Sequence, residues 1–251
     1  QLLIKHNLHL NILLNKEKIK KNIQSTARKK RYEMLEKFSY KKKINTILTA
    51  HNLEDQVETF FIRLSRGSGL KGLSAMRPLT KLNKKIFLFR PLLETKKKDL
   101  IKISKVIFGK YIKDPSNQNN KYLRTKIRSL KKPLIESGIN YSQIIRSINN
   151  LASSSSILEK YNRNVIKDII YKKNKLVIID FKKFKILDDE IKISVINDSI
   201  KLLKKNYYNL RSKKVTNLIK QLKSKSFKKA TLGGCLFFPK KDKLCLKEEK
   251  I

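Results

Sequence analysis

His51, Asn52 and Asp55 are the densest group of chemistry-bearing side chains in this sequence, and they lie within Thr49-Ala50-His51-Asn52-Leu53-Glu54-Asp55-Gln56-Val57-Glu58-Thr59. An Asn before a helix and an Asp at its third position can cap each other, leaving backbone N–H groups free at the helix start. Such a terminus suits an anion or a metal-bound phosphate. Asp55 offers one carboxylate to magnesium, in the manner usual for nucleotide sites. His51 offers a nucleotide contact or proton transfer. The same residues also admit a structural reading in which Asn52 and Asp55 only cap a helix and His51 packs in the core.

The elements that must hold this group are legible from hydrophobic spacing. Leu10 to Leu14 is a short apolar stretch that suits a buried strand, and a helical pattern follows from Ile19 to Ser39. On that helix Ile23, Ala27, Met34 and Phe38 share one face, with Gln24, Arg28 and Arg31 on the adjoining one. Ile44 to Ala50 reads as a parallel strand feeding a second helix, in which Val57, Phe60, Phe61 and Leu64 recur at helical spacing before a stop at Gly67. Strand, helix, strand, helix implies βαβ units and a parallel sheet covered on both faces. In such sheets ligands bind beyond the carboxyl ends of the strands, which is where the His51 loop falls.

From Pro133 the pattern turns helical, with Ser153 to Ser156 as a break. Two amphipathic helices are expected between Asp189 and Lys225. Thr231 to Phe238 with Leu244 to Lys247 reads as a closing hairpin whose connection includes Pro239 and Asp242. These patterns give three segments: an α/β domain over 1–132, a helical linker region over 133–188 and a small C-terminal domain over 189–251. No internal repeat is evident.

The 251 residues carry a formal charge of +41, which points to a polyanionic partner and salt-dependent binding. Lysine supplies 50 of the 61 cations and is spread throughout, so part of this charge reflects composition alone. Arginine is more telling, because its fork holds phosphate at two points; eight of eleven lie between Arg28 and Arg128. Cys235 and Cys245 have no second pair with which to build a disulfide framework or a four-ligand zinc site, and a reducing cytoplasm fits best. No apolar run approaches the roughly 18 residues that would span a bilayer, so no membrane association is expected. Gln1 to His6 reads as the end of a helix already under way, which suggests an N-terminal truncation.

The His51 segment resembles the Ala-His-His-x-Asp-Asp-Gln-x-Glu-Thr signature of the tRNA(Ile)-lysidine synthetases, within the PP-loop ATP pyrophosphatase superfamily. The likeness continues in order over nearly the whole chain. Gln24, Ala27-Arg28, Arg31-Tyr32 and Leu35 precede it. Arg63-Leu64-Ser65-Arg66-Gly67-Ser68-Gly69-Leu70, Arg90-Pro91-Leu92-Leu93, Asp114-Pro115-Ser116-Asn117, Arg124 with Ile127-Arg128, and Thr231-Leu232-Gly233-Gly234-Cys235 follow. Ordered, widely spaced matches are far more specific than one motif. Two positions depart from the signature, with Asn52 in place of the second His and Glu54 in place of the first Asp. The family's Ser-Gly-Gly-x-Asp-Ser phosphate loop does not occur in the sequence.

The resemblance implies an α/β, PP-loop (adenine nucleotide alpha hydrolase-like) domain, incomplete at its N-terminus, followed by a mainly helical domain with a terminal β-hairpin. It implies an enzyme using ATP and Mg2+ to join free L-lysine to C2 of the wobble cytidine in the CAU anticodon of tRNA(Ile). The change in codon reading is from AUG to AUA. His51, Asn52, Asp55, Gly67, Ser68 and Gly69 would contact nucleotide, with Asp55 on the metal and Asp55 and His51 in catalysis. Arg28, Arg31, Arg63, Arg90, Arg124 and Arg128 would meet tRNA and phosphates. Lys213, Lys214, Lys220, Lys223, Lys225, Lys228 and Lys229 form a basic stretch suited to tRNA backbone. Oligomeric state is left open, a homodimer included. The rival readings are a catalytically inactive tRNA-binding remnant and a tRNA thiolation enzyme; the thiolation chemistry commonly needs paired cysteines near the reaction centre.

Overall fold

A computed structural model describes residues 6–19, 23–83, 85–112, 123–204, 210, 212–224 and 226–249. The turn residues Asp114 to Asn117, the Gln24 side chain and Lys225 lie outside the described residues. The chain divides into two compact units, Gln1–Leu64 with Ser74–Ile148, and Ser65–Leu73 with Asn149–Ile251. Among the described residues no helix is long and apolar enough to cross a membrane.

In the first unit, helix α1 (Ile23–Lys41) leads to strand β1 (Thr46–Leu48) and helix α2 (Leu53–Leu64). The short helix α3 (Leu70–Leu73) falls in the other unit. Strands β2 (Leu79–Lys81) and β3 (Phe87–Phe89) then complete a sheet of order β1-β3-β2. β1 runs parallel to β3, pairing Ile47 with Leu88, while β2 is antiparallel to β3. The inner residues Ile47, Ile86 and Leu88 bury against Tyr32, Leu35 and Leu82, so α1 presents Tyr32 and Leu35 to the sheet. Ile23, assigned above to the packing face, is exposed.

Helices α4 (Lys97–Phe108), α5 (Leu123–Ser129), α6 (Lys131–Glu136) and the start of α7 (Tyr141–Ile169) follow. Val57 of α2 is fully buried, and with Leu53 it packs against Ala75, Ile144 and Ile148, flanked by Phe60 and Phe61. The apolar spacing of α2 therefore places its polar start at the sheet edge and its apolar middle in a core.

Two expectations fail here. Leu10 to Leu14 is not a buried strand: Leu8, Leu10, Ile12 and Leu14 are exposed, and no ladder partner pairs with them among the described residues. An apolar run makes a strand only where neighbouring backbone accepts its hydrogen bonds. Ser153 to Ser156 is not a break but the middle of α7. Serine disfavours a helix by only about 0.5 kcal/mol per residue. The helical spacing continues through buried Ser155 to Leu158, Val165 and Ile169, and Ser154 Oγ donates back to the Asn150 carbonyl.

The second unit is built on a five-stranded antiparallel sheet of order β4-β5-β8-β7-β6, with β4 Ile170–Lys173, β5 Leu176–Asp180, β6 Ala230–Leu232, β7 Cys235–Lys240 and β8 Lys243–Glu248. Helices α8 (Phe181–Ile186), α9 (Asp189–Leu203) and α10 (Ser212–Leu222) contribute to its core. Strand alternation puts Val177, Ile179, Cys235, Phe237, Leu244 and Leu246 into that core, with Val195, Ile196 and Ile200 of α9 and Val215 and Leu218 of α10. The two helices and the terminal hairpin match the sequence reading. The hairpin β4–β5 does not, because residues 170–180 were read with the helical region. The run Leu176-Val177-Ile178-Ile179 suits a strand flanked on both sides, and Asn174 takes the positive φ of 53° that the tight turn requires.

Candidate active site

β1 delivers Thr49 to the sheet edge, where its N–H donates to the Phe89 carbonyl at 2.9 Å and extends the β1–β3 pairing by one residue. A hydrogen bond of 2.9 Å then links Thr49 Oγ1 and His51 Nδ1, leaving Nε2 uncommitted among the described residues. Asn52 and Asp55 form the reciprocal cap foreseen from their spacing. Asn52 N donates to Asp55 Oδ2 and Asp55 N donates to Asn52 Oδ1, each at 3.1 Å. Asp55 is half-buried, and its Oδ1 carries no hydrogen bond among the described residues.

Burial is the first cause that pushes the His51 pKa below its ordinary value. The positive fields of Arg90, Arg28 and Arg124 push it the same way, and Asp55 opposes them. Three of the six arginines singled out in the sequence thus act on one imidazole. Arg90 is 8% exposed at the carboxyl end of β3, with Nη1 donating to the Arg77 carbonyl at 2.8 Å and to Thr80 Oγ1 at 3.0 Å. Its Nε is buried with no hydrogen-bond partner among the described residues, and desolvation lowers the pKa of the guanidinium. Arg90 thus acts electrostatically on His51, just before the start of α2, and a cation in such a place suits an anionic oxygen.

The arginines from α5 serve a second feature. Glu58 of α2, 3% exposed at its side chain, receives Arg128 at two points, Nε to Oε1 and Nη2 to Oε2, the latter at 3.3 Å; Arg124 Nε lies 3.8 Å away. Burial raises the Glu58 pKa, with Arg128 pulling against it. Glu58 and Arg128 line a cavity of about 470 Å3 whose apolar walls include Leu53, Ile101, Ile135 and the Tyr141 ring. Glu54 lines the same cavity and accepts the Lys97 N–H at 2.8 Å, while Lys96, Lys98 and Lys131 stand at its rim.

The remaining residues from the sequence reading are placed elsewhere. Arg31 is exposed on α1, and Arg63 Nη1 donates to the Ala75 carbonyl at 2.6 Å, holding the C-terminal turn of α2. Gly67, Ser68 and Gly69 belong to the second unit; Gly67 has φ 63°, the left-handed conformation that follows a helix end. Sequence reasoning passed over Glu58, Glu54 and Tyr141 as site residues. The available signal was a carboxylate next to Val57 and one helical turn before Phe61 and Ile62, close to the apolar stripe of α2, where a buried charge demands a cation.

Magnesium can be tested against this donor set. Among the described residues no cluster of three or more His, Cys, Asp or Glu could hold a metal alone. The open Asp55 oxygen fits the pattern in which Mg2+ takes one carboxylate and completes its shell with phosphates and water.

An α/β sheet edge, a capped helix start and converging cations define a nucleotide-handling class of domain. Residues 2–134 match the family model described as the PP-loop domain, and the chain belongs to that family. It is 34% identical over 88% of its length to a tRNA(Ile)-lysidine synthase from Wolbachia pipientis wMel, and 32% identical over 88% to another from Wolbachia sp. subsp. Brugia malayi (strain TRS). The chain spans about half the length of these curated relatives, 51% in each case. Among solved structures, the U34-tRNA thiolase NcsA from Methanococcus maripaludis, with its 4Fe-4S cluster, has a TM-score of 0.48 and 17% identity, over 59% of this chain and 53% of that one.

Proposed function

We propose that this chain carries the catalytic part of an ATP-dependent ligase that joins L-lysine to C2 of the wobble cytidine (position 34) in the CAU anticodon of tRNA(Ile). The observation that carries the reading is the placement of His51, the Asn52–Asp55 cap and the Arg28, Arg90 and Arg124 fields within one unit that also holds the Glu58 cavity. Its first part suits phosphates, and its second suits an amino acid. The named activity of the relatives supports the reading.

In the proposed reaction the cytidine C2 oxygen attacks the α-phosphorus of ATP and pyrophosphate leaves. The lysine amine then attacks C2, a proton is lost and AMP departs. Arg90 and the α2 N-terminus stabilise negative charge on phosphate oxygens, and Asp55 would hold the magnesium that accompanies the nucleotide. Bound magnesium supplies further charge neutralisation. His51, kept neutral by burial, holds nucleotide or accepts a proton at Nε2. The apolar walls of the cavity take the lysine methylenes, Glu58 or Glu54 the amine that does not attack, and the rim cations its carboxylate. The domain arrangement proposed with it is a catalytic region over 1–132, a linker over 133–188 and a tRNA-binding region over 189–251, in a cytoplasmic protein.

The test is incorporation of labelled lysine into a CAU-anticodon tRNA(Ile) transcript with ATP and Mg2+, using this chain and a version extended upstream. Lysine- and ATP-dependent labelling that disappears with a C34U transcript supports the ligase. Tight tRNA binding by both versions with no labelling replaces it with the inactive binding reading.

A further inference from the structure

We infer that the face of the second unit's sheet turned away from the helices is a docking surface for unpaired RNA bases. The inference rests on the proposed RNA substrate and adds the surface and its contact chemistry.

Register fixes which residues share this face. Val177, Ile179, Leu244, Leu246, Cys235 and Phe237 point into the core, so their strand neighbours point out. Tyr171, Ile178, Cys245 and Phe238 lie in one row across β4, β5, β8 and β7. The next row runs Lys173, Leu176, Lys247, Leu236, Thr231, and the row on the other side holds Asp180, Lys243 and Lys240. The centre is apolar and low, with Ile178, Leu236 and Phe238 half-buried around buried Cys245. Around it stand exposed Tyr171, Lys173, Lys240, Lys243 and Lys247.

Two rings and four ammonium groups on one sheet face match the chemistry by which proteins take single-stranded nucleic acid, with bases on aromatic rings and phosphates on cations. Tyr171 is 54% exposed, and its hydroxyl donates to the Asp168 carbonyl at 3.1 Å, which holds the ring. Lys247 Nζ sits 5.7 Å from the Phe238 ring centroid, so a cation already accompanies the second ring. With strands about 4.8 Å apart, the two rings are separated by roughly 14 Å, enough for each to receive its own base. Charge complementarity favours RNA over an apolar protein partner. The one carboxylate in these rows, Asp180, is occupied in capping α8 through the Lys183 N–H. None of the four lysines pairs with a carboxylate among the described residues.

The chain contains no tryptophan, so Tyr171→Trp places a single emitter on this face. Titration of that variant, as the full chain, with an unstructured 12-nucleotide RNA and with a tRNA(Ile) transcript is expected to quench its emission. Tyr171→Ala, checked for an unchanged melting curve, is expected to weaken 12-mer binding about tenfold. Lys243→Gln with Lys247→Gln lowers the salt slope by about 1.4, while Lys102→Gln with Lys105→Gln in the first unit changes it less. RNA bound with tryptophan emission unchanged, no RNA bound by any version, or equal effects from both lysine pairs would overturn the inference. So would an emission shift that follows protein concentration without RNA, which would assign the face to a second copy. Lysine incorporation is scored separately: labelling with silent tryptophan sinks the docking surface alone, and quenching without labelling sinks the ligase alone.

Discussion

Glu58 on α2 and Arg128 on α5 stand seventy residues apart in sequence and meet in a two-point ion pair on the wall of the cavity. The carboxylate is buried and the guanidinium about one-third exposed, so the two are unequal partners. Removing the cation leaves a charge in low dielectric, whereas neutralising the carboxylate leaves a cation that water still reaches. Arg128→Met should therefore destabilise by about 2 kcal/mol, below the deep-burial range because Arg124 remains near. Glu58→Gln should cost about 1 kcal/mol. Urea unfolding of both variants checks the order; equal costs would mean the pair is no more than a surface bridge.

His51 supplies a pH test. Its folded pKa is depressed below the ordinary value near 6.5, so it is neutral in both states at higher pH and adds nothing to pH dependence there. Below that value the unfolded chain takes up the proton first, and stability falls until the pH passes the folded pKa. His51→Gln should flatten that part of the stability curve. A triphosphate beside the imidazole supplies opposite charge and should raise the pKa. Titration of the His51 ring resonance by NMR, with and without ATP and Mg2+, reads both effects; an imidazole that titrates at or above the ordinary value without nucleotide refutes the burial argument.

The local chemistry of the site was legible because it is written in short-range spacing. Asn52 and Asp55 three residues apart make a reciprocal cap in any helix that starts there, and Val57, Phe60 and Phe61 fix which side of α2 is buried. What spacing cannot reveal is who answers a side chain from far along the chain. Glu58 needs Arg128, and Leu10 to Leu14 needed a ladder partner that the described residues do not provide. The serines of α7 misled for a related reason: local preference argued for a break, and burial of the residues on either side outweighed it. Residues 170–180 show the same limit, since a β-branched run becomes a strand only when β8 lies beside it.

Gln56 shows how a buried polar residue can hold the site from behind. Its Nε2 donates to the Met76 carbonyl and its Oε1 accepts the Met76 N–H, both at 2.8 Å, so one side chain satisfies both backbone groups of half-buried Met76. Gln56→Leu keeps much of the volume and strands a donor and an acceptor, which should cost about 2 to 4 kcal/mol. Gln56→Glu keeps the Met76 N–H bond but sets a carboxylate oxygen against the Met76 carbonyl at a buried position, so it should cost at least as much. Hydrogen exchange at Met76 reports this directly: the amide should lose protection in Gln56→Leu by more than global stability falls, and a purely global loss would count against the clamp.

Gly234 separates strain from crowding. With Gly233 it forms the turn between β6 and β7, at φ 68° and 63°, and a Cβ built there would lie 2.2 Å from Lys204 Nζ. The close contact is with the mobile tip of a long side chain, which can swing aside at little cost, whereas the backbone conformation cannot relax without breaking the β6–β7 pairing. Conformational strain should therefore dominate. Gly234→Ala is expected to lose about 1 kcal/mol, and Gly234→Asn less, since Asn tolerates the left-handed region. If crowding governed instead, Lys204→Ala would restore the stability of Gly234→Ala; thermal unfolding of the double variant should show no such rescue.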